Sequence, residues 1–120
     1  MDYGAHIARI CKIEDITVEN HSRGGRAYRR ERRIKIRPVK SAITYAVALH
    51  EIGHILGPRQ CGTRLDKEVG AWEWAQEHAL EWTDTMTAKM RDCLQSYLRK
   101  VKRSPHMRQP HADHPIFRMC

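Results

Sequence analysis

Apolar positions along this chain pass from a period near two to a period near 3.6 at about Ser41. Before that point, Ile7 to Val18 (IARICKIEDITV) alternates loosely and carries several β-branched residues, which predicts one or two short strands. His21 to Arg26 (HSRGGR) reads as a turn, with Gly24-Gly25 free to take positive φ. Ala27 to Val39 then reads as the returning strand. Ile34 and Ile36 point one way while Arg33, Lys35 and Arg37 point the other, the pattern of a half-buried edge strand, and Pro38 ends it. Together these segments predict a small antiparallel N-terminal sheet.

After Ser41, a suitable N-cap, the pattern is helical. A first helix is expected over Ala42 to Leu56, with Ile43, Val47, His50 and His54 on its inner face and Gly57-Pro58 as its stop. A second is expected from Leu65 or Asp66 to about Trp82. Thr83 restarts the pattern as a fresh N-cap, and Met86, Met90, Leu94, Tyr97 and Val101 recur at helical spacing to about Lys102. From Ser104 onward there are three prolines, three histidines and no periodicity, which predicts a flexible C-terminal tail. The expected fold class is therefore α+β: one domain over residues 1–103, a small sheet followed by three helices, and a tail over 104–120.

Composition narrows this picture. With 120 residues the chain fits a single domain that can bury a modest core without disulfides. The 7% aromatic content is low, and all three tryptophans fall between Trp72 and Trp82, which locates the densest packing there. Cys11, Cys61, Cys93 and Cys120 are scattered with no CxxC pair, the first residues hold no apolar leader, and no apolar run has membrane length. A cytoplasmic protein with reduced thiols and no membrane contact is expected. The net charge of +8 points to an acidic partner or to a simply solvated surface. Arg23 to Arg33 (RGGRAYRRERR), a basic run with one tyrosine, is where nucleic acid would bind if it binds at all; an exposed strand face and turn explains the run equally well.

The chemistry lies in Ala46 to Gly57, AVALHEIGHILG, where His50, Glu51 and His54 spell HExxH. On a helix two histidines four residues apart stack on one face, about 40° apart, so both imidazoles reach one ion. Glu51 projects about 100° to the side of His50 and is placed to handle water instead of the metal. This is a zinc-hydrolase arrangement, and it needs a third protein ligand, with the fourth position left open. An extended HExxHxxGxxH pattern fails at Gln60, whose neutral amide is a poor zinc ligand. Glu68 and Glu73 on the next helix are separated by geometry. With Glu68 at zero, Trp72 lies at about 40°, Ala75 at about −20°, Ala79 at about 20° and Trp82 at about −40°, an apolar stripe; Glu73, Glu77 and Glu81 fall on the opposite side. Since a ligand must come from the packed face, Glu68 is the expected third ligand. Ala71, Ala75 and Ala79 would let the two helices approach, with Trp72 and Trp82 walling the site.

Leu49 to Gly57 (LHEIGHILG), followed by E-x-x-A-x-x-W-A at Glu68 to Ala75, resembles the phage- and plasmid-associated metallopeptidases of the ImmA/IrrE family. The resemblance covers roughly Arg33 to Trp82. Glu68 takes the family's zinc-binding position, Ala71 and Ala75 match its alanines, and Trp74 replaces its aromatic. Trp72 stands where the family has Asn, the connection from His54 to Glu68 is short for the group, and neither the N-terminal helix nor the helix-turn-helix of many relatives is evident. The resemblance implies a minimal Glu-type zincin with Zn2+ on His50, His54 and Glu68, Glu51 as general base and acid, and a protein or peptide substrate such as a phage repressor. In that reading, substrate lies along the Ile34–Val39 edge; the group that stabilises the oxyanion is not identified, with His78, about 80° off the ligand stripe, and Tyr97 as candidates. The competing expectation from the residues is a small basic DNA- or protein-binding module with a structural or degenerate zinc site.

Overall fold

A computed structural model describes all 120 residues. The order is α1 (Tyr3–Ile13), β1 (Thr17–Asn20), β2 (Gly25–Tyr28), β3 (Arg33–Ile36), α2 (Ala42–Leu56), α3 (Arg64–His78), α4 (Asp84–Arg103) and α5 (Ile116–Met119). The architecture is α+β: a three-stranded mixed sheet with helices packed around the buried α2. No helix is long and apolar enough to cross a membrane, and all four cysteines are free.

The N-terminal half departs from expectation in three ways. First, Ile7 to Ile13 belongs to a helix. Ile7, Ile10 and Cys11 are spaced for one helical face, Ile7 and Cys11 are buried, and the Asp2 side chain accepts the Ala5 N–H at 2.9 Å as N-cap. The β-branched residues favoured a strand locally, but their spacing of three and four buries more as a helix against α2, where Tyr3 stacks on Tyr45 at 4.2 Å. An N-terminal helix is thus present after all.

Second, Ala27 to Val39 is not one strand. A turn breaks it, with Arg32 in the left-handed region (φ 49°) and its N–H donating to the Arg29 carbonyl at 3.2 Å. Third, the sheet is mixed, not antiparallel, in the order β1-β3-β2. Strand β1 runs parallel to β3 (Thr17 beside Arg33, Asn20 beside Ile36), while β2 runs antiparallel to it (Gly25 beside Ile36, Tyr28 beside Arg33). Strand β3 is therefore central. Its alternation of buried Ile34 and Ile36 with half-buried Arg33 and Lys35 reflects one covered face and one wet face, not an edge position. Arg33 lies on that wet face, paired to Glu19 at 2.8 Å and to Glu31 at 2.6 Å and stacked over Tyr28 at 3.9 Å.

The helical half follows the sequence more closely. Ser41 caps α2 in a reciprocal capping box with Thr44. Nine residues of α2 are buried, so it forms the centre of the core; Ile43, expected inside, is exposed. Helix α3 opens with a second capping box, Thr63 with Asp66, but stops at His78, four residues early. There Ala79 turns extended, His78 Nδ1 bonds the Trp74 carbonyl at 2.9 Å, and the Leu80 N–H donates to the Tyr45 hydroxyl at 2.9 Å. Helix α4 starts after Thr83 as expected and buries Met86, Met90, Leu94 and Val101. The tail, expected to be flexible, folds back onto the helices. Ile116 is fully buried, the Gln109 amide donates to the Val101 carbonyl at 2.8 Å, and His114 Nε2 sits 2.6 Å from the Asp66 carboxylate. Its anchors are single residues without periodicity, which is why no pattern revealed them.

Helices α2 and α3 form the most extensive contact in the molecule, and glycine sets their separation. A Cβ on Gly53 would lie 2.9 Å from the Ala71 Cα and closer still to its carbonyl oxygen; one on Gly70 would meet the Pro58 carbonyl. Backbone, not a yielding side chain, stands on the far side in each case. Gly53→Ala is therefore expected to lose on the order of 1–3 kcal/mol of stability through overpacking, whereas Ile43→Ala stays within about 0.5 kcal/mol. Chemical denaturation of the two variants checks this; equal midpoints would show that the helices separate at no cost.

Candidate metal centre

His50 and His54 lie one turn apart on α2, and their Nε2 atoms face each other at 3.2 Å. Glu68, from the second turn of α3, places Oε1 at 3.6 Å from His50 Nε2 and Oε2 at 2.5 Å from His54 Nε2. One donor atom from each residue falls within 4.8 Å of the others, so the three could hold a metal ion. His50 and Glu68 are buried and His54 nearly so.

Two features fit a cation. Tetrahedral ligands at about 2.0 Å from an ion sit about 3.3 Å apart, close to the 3.2 and 3.6 Å separations here, whereas the 2.5 Å between His54 Nε2 and Glu68 Oε2 is a hydrogen-bond separation that would have to open around an ion. The second is hydrogen-bond polarity. Gln60, also buried, donates its amide nitrogen to the Pro58 carbonyl at 3.0 Å and the Lys67 carbonyl at 2.8 Å. Those two acceptors fix the orientation of the amide, so its oxygen faces His54 Nδ1 at 3.1 Å and that nitrogen must carry the proton. The lone pair of His54 Nε2 is left pointing at a carboxylate. Two acceptors at 2.5 Å need a proton between them, and a metal ion would take that proton's place.

Charge in the metal-free protein follows from this. Burial opposes protonation of His54, but the hydrogen bond and charge of Glu68 outweigh it and raise the ring above its ordinary value of 6.5. Burial likewise works against ionisation of Glu68, yet the two histidines together hold its carboxyl well below the usual range. Glu51 has no such partner, and burial pushes its carboxyl up.

His50 is supported differently. Its Nδ1 is buried without a hydrogen-bond partner, and the ring stacks on Trp72 at 4.2 Å and 24°. Trp72 thus occupies the expected wall and orients one ligand by contact instead of by hydrogen bond. Trp82 meets Trp72 edge-on at 6.4 Å, reached through the extended segment after α3.

The other candidates sort cleanly. Glu73 faces away and pairs with Arg59 at 2.6 Å. Gln60 is no ligand but holds one, a role that sequence reasoning missed; its signal was the place it occupies, where the longer motif would put a third histidine. His78 stacks on Trp74, outside the site. Tyr97 and Cys93 line the cleft above the three ligands, yet Cys93 is not among the converging donors. Glu51 lines it too, pressed against Gly25 at the start of β2, where a Cβ would come within 2.7 Å of Glu51 Oε2. The cleft measures about 710 Å³ and opens along β2. The basic run is divided: Arg26 and Arg29 border the cleft, while Arg32 and Arg33 are tied to Glu14, Glu19 and Glu31.

Comparison with family models, with curated proteins and with solved structures finds no match to this chain.

Metal content measured after loading and desalting is expected to fall to background in Glu68→Ala and to stay at the wild-type level in Glu73→Ala; the reverse result would place the ligand on the other face of α3. Gln60→Leu is expected to weaken metal affinity by about 10–100-fold without abolishing it. A pH test follows from His54. Its pKa is raised on folding, so the His54–Glu68 pair stabilises the metal-free protein fully below pH 6.5 and loses that contribution as pH rises through the raised value. A metal competes with that proton, so the gain in melting temperature on adding a divalent metal should be larger near pH 8 than near pH 6. An equal gain at both would mean that His54 does not coordinate.

Proposed function

We propose that this protein is a zinc-dependent peptidase of the minimal Glu-type, as its resemblance to the ImmA/IrrE family implies. The observation that carries the reading is the position of Glu51: its carboxylate lies on the same cleft as His50, His54 and Glu68 but outside their converging group, with a pKa raised by burial. Two imidazoles and one carboxylate form a three-ligand set that suits Zn2+ with one position open. Cys93, the nearest soft donor on the cleft, does not close it.

A bound Zn2+ supplies Lewis acidity, which acidifies a water and polarises a carbonyl. Glu51 accepts the proton of the attacking water as its oxygen bonds to the carbonyl carbon, and returns that proton to the amine as the C–N bond breaks. A carboxyl raised by burial is a stronger base than a solvated one and suits both halves of the exchange. Gly25 allows the β2 backbone to sit directly against Glu51. Strand β2, not the central β3, is then the edge to which an extended peptide adds, main chain to main chain. Tyr97 replaces His78 as the hydrogen-bond donor to the carbonyl oxygen, because only Tyr97 lies on the cleft.

Glu51→Gln is expected to keep its zinc and lose cleavage by on the order of 100-fold or more. Peptide hydrolysis and metal content measured on one preparation test the assignment, and retained cleavage would refute it.

A further inference from the structure

Five cationic residues border the cleft: Arg26 and Arg29 on the β2 side, and Arg64, Lys67 and Lys89 on the helical side. Against them stand only Glu51 and Glu68, the latter committed to His50 and His54. None of the five makes an ion pair. Arg32, Arg33 and Arg59, outside the cleft, are paired with glutamates. What sets the cleft apart is the gathering of cations on one concave wall with two carboxylates. Arg64 rests over the Tyr97 ring at 5.7 Å, whereas Arg26 lies over Tyr28 at 5.4 Å on the wet face of the sheet, beside Arg33 and Lys35, and does not project into the cleft. A π-face positions a cation without neutralising it. A concave wall carrying one sign of charge focuses its field into the cleft, and a divalent cation on the three ligands adds to it.

Taking the peptidase reading and extending it to the substrate, we infer that the cleft selects an extended peptide carrying Asp or Glu on both sides of the bond to be cut. Acidic residues beside the β2 edge meet Arg29, and those across the cleft meet Arg64, Lys67 and Lys89. A nucleic acid would also answer positive charge, but it could not use the free backbone edge of β2, and the cleft offers ligands for one metal where nucleases commonly hold two. This gives Arg29, at the end of β2, a role that the rest of the arginine-rich hairpin does not share.

The test uses full-length, zinc-loaded Glu51→Gln protein and fluorescence anisotropy with three labelled peptides of equal length, acidic, neutral and basic, and a single-stranded oligodeoxynucleotide. The acidic peptide is expected to bind about ten-fold or more tighter than the neutral one at low salt, with the margin shrinking as salt rises. Arg64→Gln/Lys67→Gln/Lys89→Gln should remove most of that margin and Arg29→Gln a smaller part of it, each checked for fold by circular dichroism and for zinc content. Arg99→Gln/Lys100→Gln/Arg103→Gln, an equal charge change on α4 away from the cleft, should leave it intact. Equal binding of acidic and neutral peptides, an equal loss in the α4 control, or tighter cleft-dependent binding of the oligodeoxynucleotide would each overturn the inference. Cleavage by the wild type separates the two claims. Selective binding of the acidic peptide with no cleavage of any peptide would remove the peptidase reading and leave the charge preference standing; cleavage of neutral and acidic peptides at one rate, with no difference in binding, would do the reverse.

Discussion

The site depends on how closely α3 can lie against α2. Gly53 meets the backbone of Ala71, and Gly70 meets Pro58, so the helices touch nearly main chain to main chain. That contact carries Glu68, one turn before Ala71 and Trp72, to within hydrogen-bond distance of His54. A methyl group at Gly53 would push the carboxylate away from both imidazoles. Packing density and metal geometry are here the same constraint, since interiors this tight transmit a small displacement instead of absorbing it.

Burial gives the cluster its chemical character. Three groups whose lone pairs converge would repel one another in the absence of positive charge, and the protein supplies no lysine or arginine to separate them. A proton on His54 meets that deficit in the metal-free protein, and the same contact holds the His54 ring above and the Glu68 carboxyl below their ordinary values. Gln60 makes the arrangement directional, because its own amide is held by two carbonyls and can only accept from His54. His50 has no such acceptor and relies on Trp72. The two ligands are therefore held by different physics, one electrostatic and specific in angle, the other dispersive and tolerant.

What the sequence revealed about this centre, and what it hid, follows from the range of the forces involved. Helix α2 was legible to the residue because its cap, apolar run and stop are all local signals. Helical periodicity alone decides which side of α3 faces inward, so it placed Glu68, not Glu73, beside the histidines, and it failed beyond His78 because the stop there depends on Tyr45, a residue distant in sequence. Strand β3 misled as an edge because alternation reports which face is covered and says nothing about neighbours in the sheet. Ile7 and Ile10 carry strand propensity at helical spacing, and only packing against α2 decides between the two. The docked tail and the role of Gln60 rest on single side chains meeting partners far away or around a tight loop, which no pattern along the chain encodes.

In the proposed centre one metal ion sits on His50, His54 and Glu68 with one position open and no sulfur in the shell. X-ray absorption at the zinc edge of the loaded protein addresses it directly. Two imidazole rings and light oxygen or nitrogen donors at about 2.0–2.1 Å are predicted, with no sulfur. A sulfur scatterer at about 2.3 Å would contradict the account, since it would mean that Cys93 or another thiol closes the site and that the centre is structural.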